Sequence, residues 1–366
     1  MTEAIVVDTP ALLVDLDRME RNIGQWQAKA NAAGVKLRPH IKTHKVPAFA
    51  HKQLEAGAGG ITVAKVAEAE VFAADGCTDI FIAYPIIGAE KWRRAAELAR
   101  TCTITVEVES EVGARGLSAA AVAAGSIIRV RVELDIGLHR CGAAPDKVES
   151  LCRLVMSLPG LELDGIMAFR SVFYPAAAGR SNEEIGREEG ETIMQVVGDL
   201  RAKGIPIRAV SAGSTPTAFS VAGVSGITEV RPGTYIFGDY LMAERGAVRY
   251  DDIALSIVCT VISRPAPDRA TIDGGSKTFS GDIFYANSGL KGYAKAVDLV
   301  NTYVVSLSEE HGVVALGEGV DPQIGDQIAF YPIHVCTTVN LSDQLIGLRN
   351  GQIEQVYPIA ARGKRT

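Results

Sequence analysis

No stretch of this chain approaches the roughly 20 consecutive apolar residues that cross a bilayer, and the opening "MTEAIVVDTP" lacks the basic segment and long apolar core of a secretion signal. A cytoplasmic protein with no membrane partner is expected. Basic runs never exceed a pair or triplet and the formal charge is -6, so there is no phosphate footprint and nucleic acid is excluded as a partner. The six cysteines, Cys77, Cys102, Cys141, Cys152, Cys259 and Cys336, contain no CxxC and no regular spacing. That excludes a disulfide framework or a structural zinc finger, and most of them are expected to be buried, reduced core residues. No GxGxxG follows any apolar run, which counts against a dinucleotide fold. No internal repeat is present. What remains is small-molecule chemistry on 366 residues, 47% of them hydrophobic, enough for two domains or one large barrel with an addition.

From residue 35 to about 235, short β-branched runs alternate with longer, Ala-rich helical patterns, as in βα units around a parallel sheet. Strands are expected at 35–38, 61–64, 80–83, 103–108, 127–134, 163–169, 207–211 and 227–230. Eight such strands point to a (β/α)8 barrel. Before them, "ALLVDLDRMERNIGQW" reads as an apolar run and then a helix, with Asp17 and Glu20 at capping-box spacing. After about residue 244, short β-rich runs broken by Gly, Pro, Asp and Asn indicate a β domain. The expected division is 11–243 for the barrel and 244–366, with 1–10, for the β domain.

A parallel barrel gathers the loops after its strands around one mouth, and four stretches hold residues suited to chemistry. "LRPHIKTHK" places Lys42 just beyond the first strand, whereas Lys36 begins that strand and Lys45 reads as a solvated lysine before a helix at "VPAFAHKQL". "ELDIGLHRCG" places Arg140 in a Gly-bracketed loop after the fifth strand. "SAGSTPTAFS" follows the seventh, with Gly213, Ser214 and Thr215 ahead of Pro216 at an expected helix start. Such a start is either an anion site or an ordinary capped helix. "EVRPGTYIFGDY" adds Gly233 and Tyr235 after the eighth. A lysine, an arginine and a phosphate cradle at one mouth fit pyridoxal phosphate. In the β domain, "YPIHVCTTVN" puts His334 and Cys336 two apart on an expected strand, sharing one face. They are either a metal pair, suited to Zn2+, or a buried cysteine beside a satisfied histidine.

Taken together, "TPALLVDLDRMERNI", "RPHIKTHK", "LDIGLHRCG", "SAGSTPT", "RPGTYIFGD", "EEHGVV", "HVCTTVNL" and "VYPIAARG" resemble the D-threonine aldolase and D-serine dehydratase family of fold-type III pyridoxal enzymes, in order and over essentially the whole chain. The resemblance implies an alanine-racemase-like barrel with a C-terminal β domain, working as a homodimer. It makes Lys42 the Schiff-base lysine and Arg140 the arginine that contacts the cofactor ring. Gly213, Ser214 and Thr215 become the phosphate loop, Tyr235 the tyrosine after the "PG" turn, and His334 with Cys336 the ligands of a divalent metal, Zn or Mn. One departure stands out: where the family has Tyr, His and Gly after the sixth strand, this chain has Phe169, Arg170 and Ser171. An arginine fork there could bind a second substrate carboxylate, so Arg170 is a candidate for the catalytic site.

The function implied is a lyase on a D-3-hydroxy amino acid. The cysteine in the metal pair favours dehydration to a 2-oxo acid and ammonia, as by a D-serine dehydratase. The alternative is retro-aldol cleavage to glycine and an aldehyde, as by a D-threonine or 3-hydroxy-D-aspartate aldolase. An amino-acid racemase needs a second base that the sequence does not place, and a non-catalytic pyridoxal-phosphate carrier leaves the β domain unexplained.

Overall fold

The computed structural model describes residues 7–174, 177–281 and 289–366. The chain divides into two compact units: residues 1–23, 43–46 and 234–363 form one, and residues 24–42, 47–233 and 364–366 the other. The first strand, β1 (Ala11–Asp15), is the apolar run ahead of the barrel and pairs within the first of these units. A helix, Leu16–Ala32, follows it directly. Its cap differs from the expected one: Asp15 Oδ1 accepts the Arg18 N–H at 2.9 Å, while Asp17 and Glu20 lie inside the helix and bind Arg349.

In the second unit all eight expected strands are present as β2 (Lys36–Leu37), β3 (Ile61–Val63), β4 (Asp79–Ile82), β5 (Thr103–Val108), β6 (Ile128–Leu134), β7 (Leu161–Ala168), β8 (Ala209–Ala212) and β9 (Glu229–Val230). They pair in parallel in the order β2-β9-β8-β7-β6-β5-β4-β3. A single bridge, His40 to Thr62, joins the two ends of that row and closes the ring. One set of alternate positions, such as Ile104, Val106, Val130 and Val132, is apolar and buried, and the other carries charge. Glu229 on β9 accepts from Arg38 Nε at 2.7 Å, from Ser211 at 2.6 Å and from Arg131 Nη1 at 2.5 Å. Arg131 stands on β6, with β7 and β8 between it and β9, so that ion pair crosses the barrel interior. Arg231 extends the network, donating to Ser211 Oγ at 2.5 Å and to the Ala168 carbonyl at 2.9 Å. The barrel is therefore filled by buried ion pairs where apolar layers are usual.

In the first unit β10 (Leu255–Ala266), β11 (Arg269–Ile272), β12 (Ala294–Ala296), β13 (Tyr303–Leu307), β14 (Gly312–Ala315) and β15 (Gln327–Pro332) close an antiparallel ring through the β10–β11 pairing. β1 adds to β10, and β16 (Gln344–Arg349) and β17 (Gln352–Pro358) extend that edge as a hairpin. Asn350 and Gly351 make its two-residue turn with φ of 50° and 76°, the left-handed pair that such a turn requires. None of the six cysteines forms a disulfide; Cys77, Cys152 and Cys259 are buried, and the other three are partly exposed.

Candidate active site

Beyond β2 the backbone continues along the end of β9, with Arg38 N–H donating to the Val230 carbonyl and His40 N–H to that of Pro232, each at 2.9 Å. It then enters a 3-10 turn, Ile41–Thr43, that carries Lys42 at the C-terminal end of the barrel. The Lys42 side chain is exposed there. Lys45 is not the solvated lysine expected: it is 8% exposed, sits at φ 56° and has its carbonyl bound by the Ala361 N–H. His40 has a buried Nδ1 without a hydrogen-bond partner. Burial, then the positive fields of Lys42, Arg231 and Arg140, hold its pKa well below the usual histidine value, so the ring is neutral. Lys42, Arg231 and Arg140 are thus near enough to His40 for their charges to act on its ring.

Arg140 lies in the loop after β6. Asp135 Oδ1 organises that loop by accepting the N–H groups of Gly137 (2.9 Å) and His139 (3.1 Å). Gly142 is required at its end, because a Cβ there would sit 2.6 Å from the Asp135 nitrogen. The Arg140 guanidinium lies 5.1 Å from the centre of the Phe169 ring and 4.0 Å from Glu133. Ligand atoms of Glu107, Glu109, Glu133 and Cys141 gather within 4.8 Å of one another. Burial and then Glu133 push Glu107 well above the carboxylate range and Cys141 up to about 12. Arg170 is buried, donates to the Ile136 carbonyl of the Arg140 loop, and places Nη1 2.5 Å from Glu188 Oε1. Its fork is thus engaged by protein, the alternative to a substrate role. Ser171 Oγ accepts the Phe173 N–H at 3.0 Å.

After β8, Gly213 has φ 84°, and a Cβ there would lie 3.1 Å from Ala218 Cα. Ser214 N–H is bound by Thr217 Oγ1 at 3.0 Å. Thr215 Oγ1 is buried with no partner. The helix expected at Pro216 begins only at Ala218 and has five residues, so the cradle is the loop itself and not a helix end. Gly233 lies in the loop beyond β9, and Tyr235 is fully buried in the turn Thr234–Ile236.

His334 and Cys336 do not share a strand. β15 ends at Pro332, His334 caps the helix Val335–Leu341 with extended φ and ψ, and Cys336 lies in its first turn. They still meet, because Cys336 hydrogen-bonds the His334 imidazole. Nδ1 of His334 is 3.1 Å from Asp239 Oδ2, an oxygen that also accepts the Val335 N–H. Burial would lower the His334 pKa, but Cys336 and Asp239 outweigh it and raise it to about 10. Thr43, the residue after Lys42, places Oγ1 3.2 Å from Cys336 Sγ.

Comparison with known proteins decides what this arrangement belongs to. Residues 14–241 match the alanine racemase N-terminal domain, and residues 254–348 a putative serine dehydratase domain. The chain is 34% identical to a D-threonine aldolase of Arthrobacter sp., over 98% of this chain and 93% of that protein. It is also 34% identical to a D-threo-3-hydroxyaspartate dehydratase of Delftia sp., over 91% and 92%. The chain belongs to the D-threonine aldolase and D-serine dehydratase family. The solved D-threonine aldolase of Filomicrobium marinum superposes with a TM-score of 0.89 at 32% identity, covering 98% of this chain and 97% of that one. The Delftia dehydratase superposes at 0.87 with 32% identity, over 96% and 97%. A D-threo-3-hydroxyaspartate dehydratase has also been solved as a His→Ala variant and as a Cys→Ala variant two positions further on, the latter in a metal-free form.

Members of this family are pyridoxal-phosphate-dependent lyases of D-amino acids, and the residues here fit that cofactor. Thr215 Oγ1 is a buried hydroxyl lacking an acceptor, Gly213 leaves room for close approach, and a lysine stands at the end of β2. Sequence reasoning missed His40, Asp239 and the Arg38–Glu229–Arg131 network. The alternating charges of "IRVRVEL" and the buried acid of "FGDY" were the available signals.

Proposed function

We propose that this enzyme is a pyridoxal-phosphate- and divalent-metal-dependent dehydratase that converts a D-3-hydroxy amino acid to a 2-oxo acid and ammonia. The observation that carries the reading is the His334–Cys336 pair, imidazole and thiol in contact, with Nδ1 of the histidine engaged by Asp239. The donor set suits Zn2+, and a D-threo-3-hydroxyaspartate dehydratase has been solved as a metal-free Cys→Ala variant.

In this reading Lys42 holds the cofactor, Arg140 contacts its ring, and Gly213, Ser214 and Thr215 bind its phosphate, with Gly233 and Tyr235 beside them. The cofactor, when bound, supplies the electron sink for the charge left at Cα, and a metal at His334 and Cys336 supplies Lewis acidity at the 3-hydroxyl. Lys42, as the free amine, takes the α-proton. Arg170 clasps the loop after β6 to that after β7, and the active form is a homodimer.

The test is incubation of the Zn2+- or Mn2+-loaded enzyme with D-serine, D-threonine and D-threo-3-hydroxyaspartate, with separation of products. Ammonia with a 2-oxo acid in equal amounts is expected. Glycine with an aldehyde would overturn dehydration in favour of the aldolase reading, which the 34% identity to the Arthrobacter aldolase supports.

A further inference from the structure

Glu189 lies within the helix Asn182–Ala202 and is completely buried. Its Oε1 accepts the N–H groups of Gly213 at 2.9 Å and Arg170 at 3.3 Å, and its Oε2 takes the Thr217 hydroxyl at 3.1 Å. Thr217 Oγ1 in turn accepts the Ser214 N–H at 3.0 Å and lies 3.1 Å from Ser214 Oγ. Two residues assigned above to the phosphate, Gly213 and Ser214, therefore depend on one carboxyl group that the reaction does not use. A buried carboxyl in a helix interior carries a desolvation cost that packing alone does not require.

We propose, on the assignment of Gly213, Ser214 and Thr215 to the phosphate, that Glu189 is its positioning residue: it takes up one proton as the phosphate arrives and reverses the Glu189–Thr217–Ser214 hydrogen-bond chain. With Glu189 ionised, Thr217 must donate to it, and the Ser214 hydroxyl must donate inward to Thr217. With Glu189 protonated, its O–H donates to Thr217, Thr217 donates to Ser214 Oγ, and the Ser214 hydroxyl proton is released toward the phosphate. Thr217 Oγ1 keeps the Ser214 N–H in both states, so the loop backbone stays in place.

The charged groups around Glu189 allow this. Arg231 faces it from the end of β9, while Arg170, from the end of β7, contributes its backbone N–H and turns its guanidinium to Glu188. On its own helix, Glu188 pairs with Arg170 and Arg180. The helix Ala218–Ala222 brings no titratable side chain. Burial pushes Glu189 up to about 7 against the Gly213 and Thr217 hydrogen bonds and Arg231. A phosphate carrying about two negative charges favours the neutral acid further.

The test is titration of the apoprotein with pyridoxal phosphate, followed by absorbance, at a series of pH values from about 7 to 8.5. Uptake of one proton weakens wild-type binding by about tenfold across that range. Glu189→Gln directs an amide N–H at Thr217 permanently, so it should bind tightly and lose that part of the pH dependence. Thr217→Val, which cuts the chain, should lose it too. Parallel pH dependence in wild type and both variants overturns the proposal, even where Thr215→Val weakens binding at every pH. Unchanged affinity in Thr215→Val overturns instead the phosphate assignment on which the proposal rests.

Discussion

Asp239 Oδ2 lies 3.1 Å from Nδ1 of His334, and its other oxygen accepts the Met242 N–H at 2.8 Å. One buried carboxylate thus caps the short helix Tyr240–Glu244 and fixes the histidine ring. With Nδ1 held by Asp239, Nε2 is the nitrogen left for a metal, which would take the place of a proton there. Asp239→Asn retains an acceptor for the cap but loses the charge that orients the ring. It should bind Zn2+ about 10- to 100-fold more weakly, read by competition with a chromophoric chelator. Equal affinity would show that the ring needs no carboxylate.

Lys42 and Lys45 are separated by two residues and differ in every structural respect. Lys42 is exposed at the end of β2, whereas Lys45 is buried in a left-handed turn. Borohydride treatment of the holoenzyme should therefore fix the cofactor to Lys42. Peptide mapping that placed the adduct on Lys45 or Lys36 would reject the assignment. Lys42→Ala should abolish turnover.

The eight barrel strands were legible because each is a short β-branched run between helical patterns, and that signal does not depend on long-range contacts. The barrel interior was not. In "IRVRVEL", Arg131 and Glu133 alternate with valine as they would on a half-exposed strand, and only the closed ring shows that both are buried. His334 and Cys336 were expected to meet for a local reason that the structure replaces. Two residues apart on a strand share a face, but His334 and Cys336 meet because one is an extended cap and the other is in the first helical turn. Lys45 could not be placed, since its turn is held by Ala361, more than 300 residues away.

Glu229 joins Arg38 and Arg131 across the barrel, and these side chains are at most 5% exposed. Removing one partner leaves two buried cations short of a counter-charge, so Glu229→Ala should cost about 3–5 kcal/mol in denaturant melts. The same group gives an acid limit. Burial raises its pKa, but Arg131 and Arg38 outweigh burial and hold it well below the carboxylate range. Its contribution is complete above the unfolded value of about 4.3 and is lost as pH falls below that toward the depressed folded value. Wild type should lose stability in that window more steeply than Glu229→Gln; equal slopes would mean that other carboxylates set the acid limit.

Arg170 tests whether a cation can be assigned from its position in a motif. It stands where the family has a histidine, which suggested a fork for acidic substrates. In the structure its guanidinium binds the Ile136 carbonyl and Glu188, and Glu188 is held below the usual range by Arg170 and Arg180. A charge-assisted hydrogen bond contributes about 1.5–3 kcal/mol. If that energy holds the Arg140 loop, Arg170→Ala should lower kcat/KM by the same factor for D-serine and D-threo-3-hydroxyaspartate, and should lower Tm as well. If Arg170 instead grips the second carboxylate, the loss should fall on the acidic substrate alone, by about one to two orders of magnitude, with Tm little changed. Glu188→Gln separates the two further. It removes the charged partner of Arg170 and leaves the Ile136 carbonyl, without touching a substrate, so only the clasp predicts a smaller loss that is uniform across substrates.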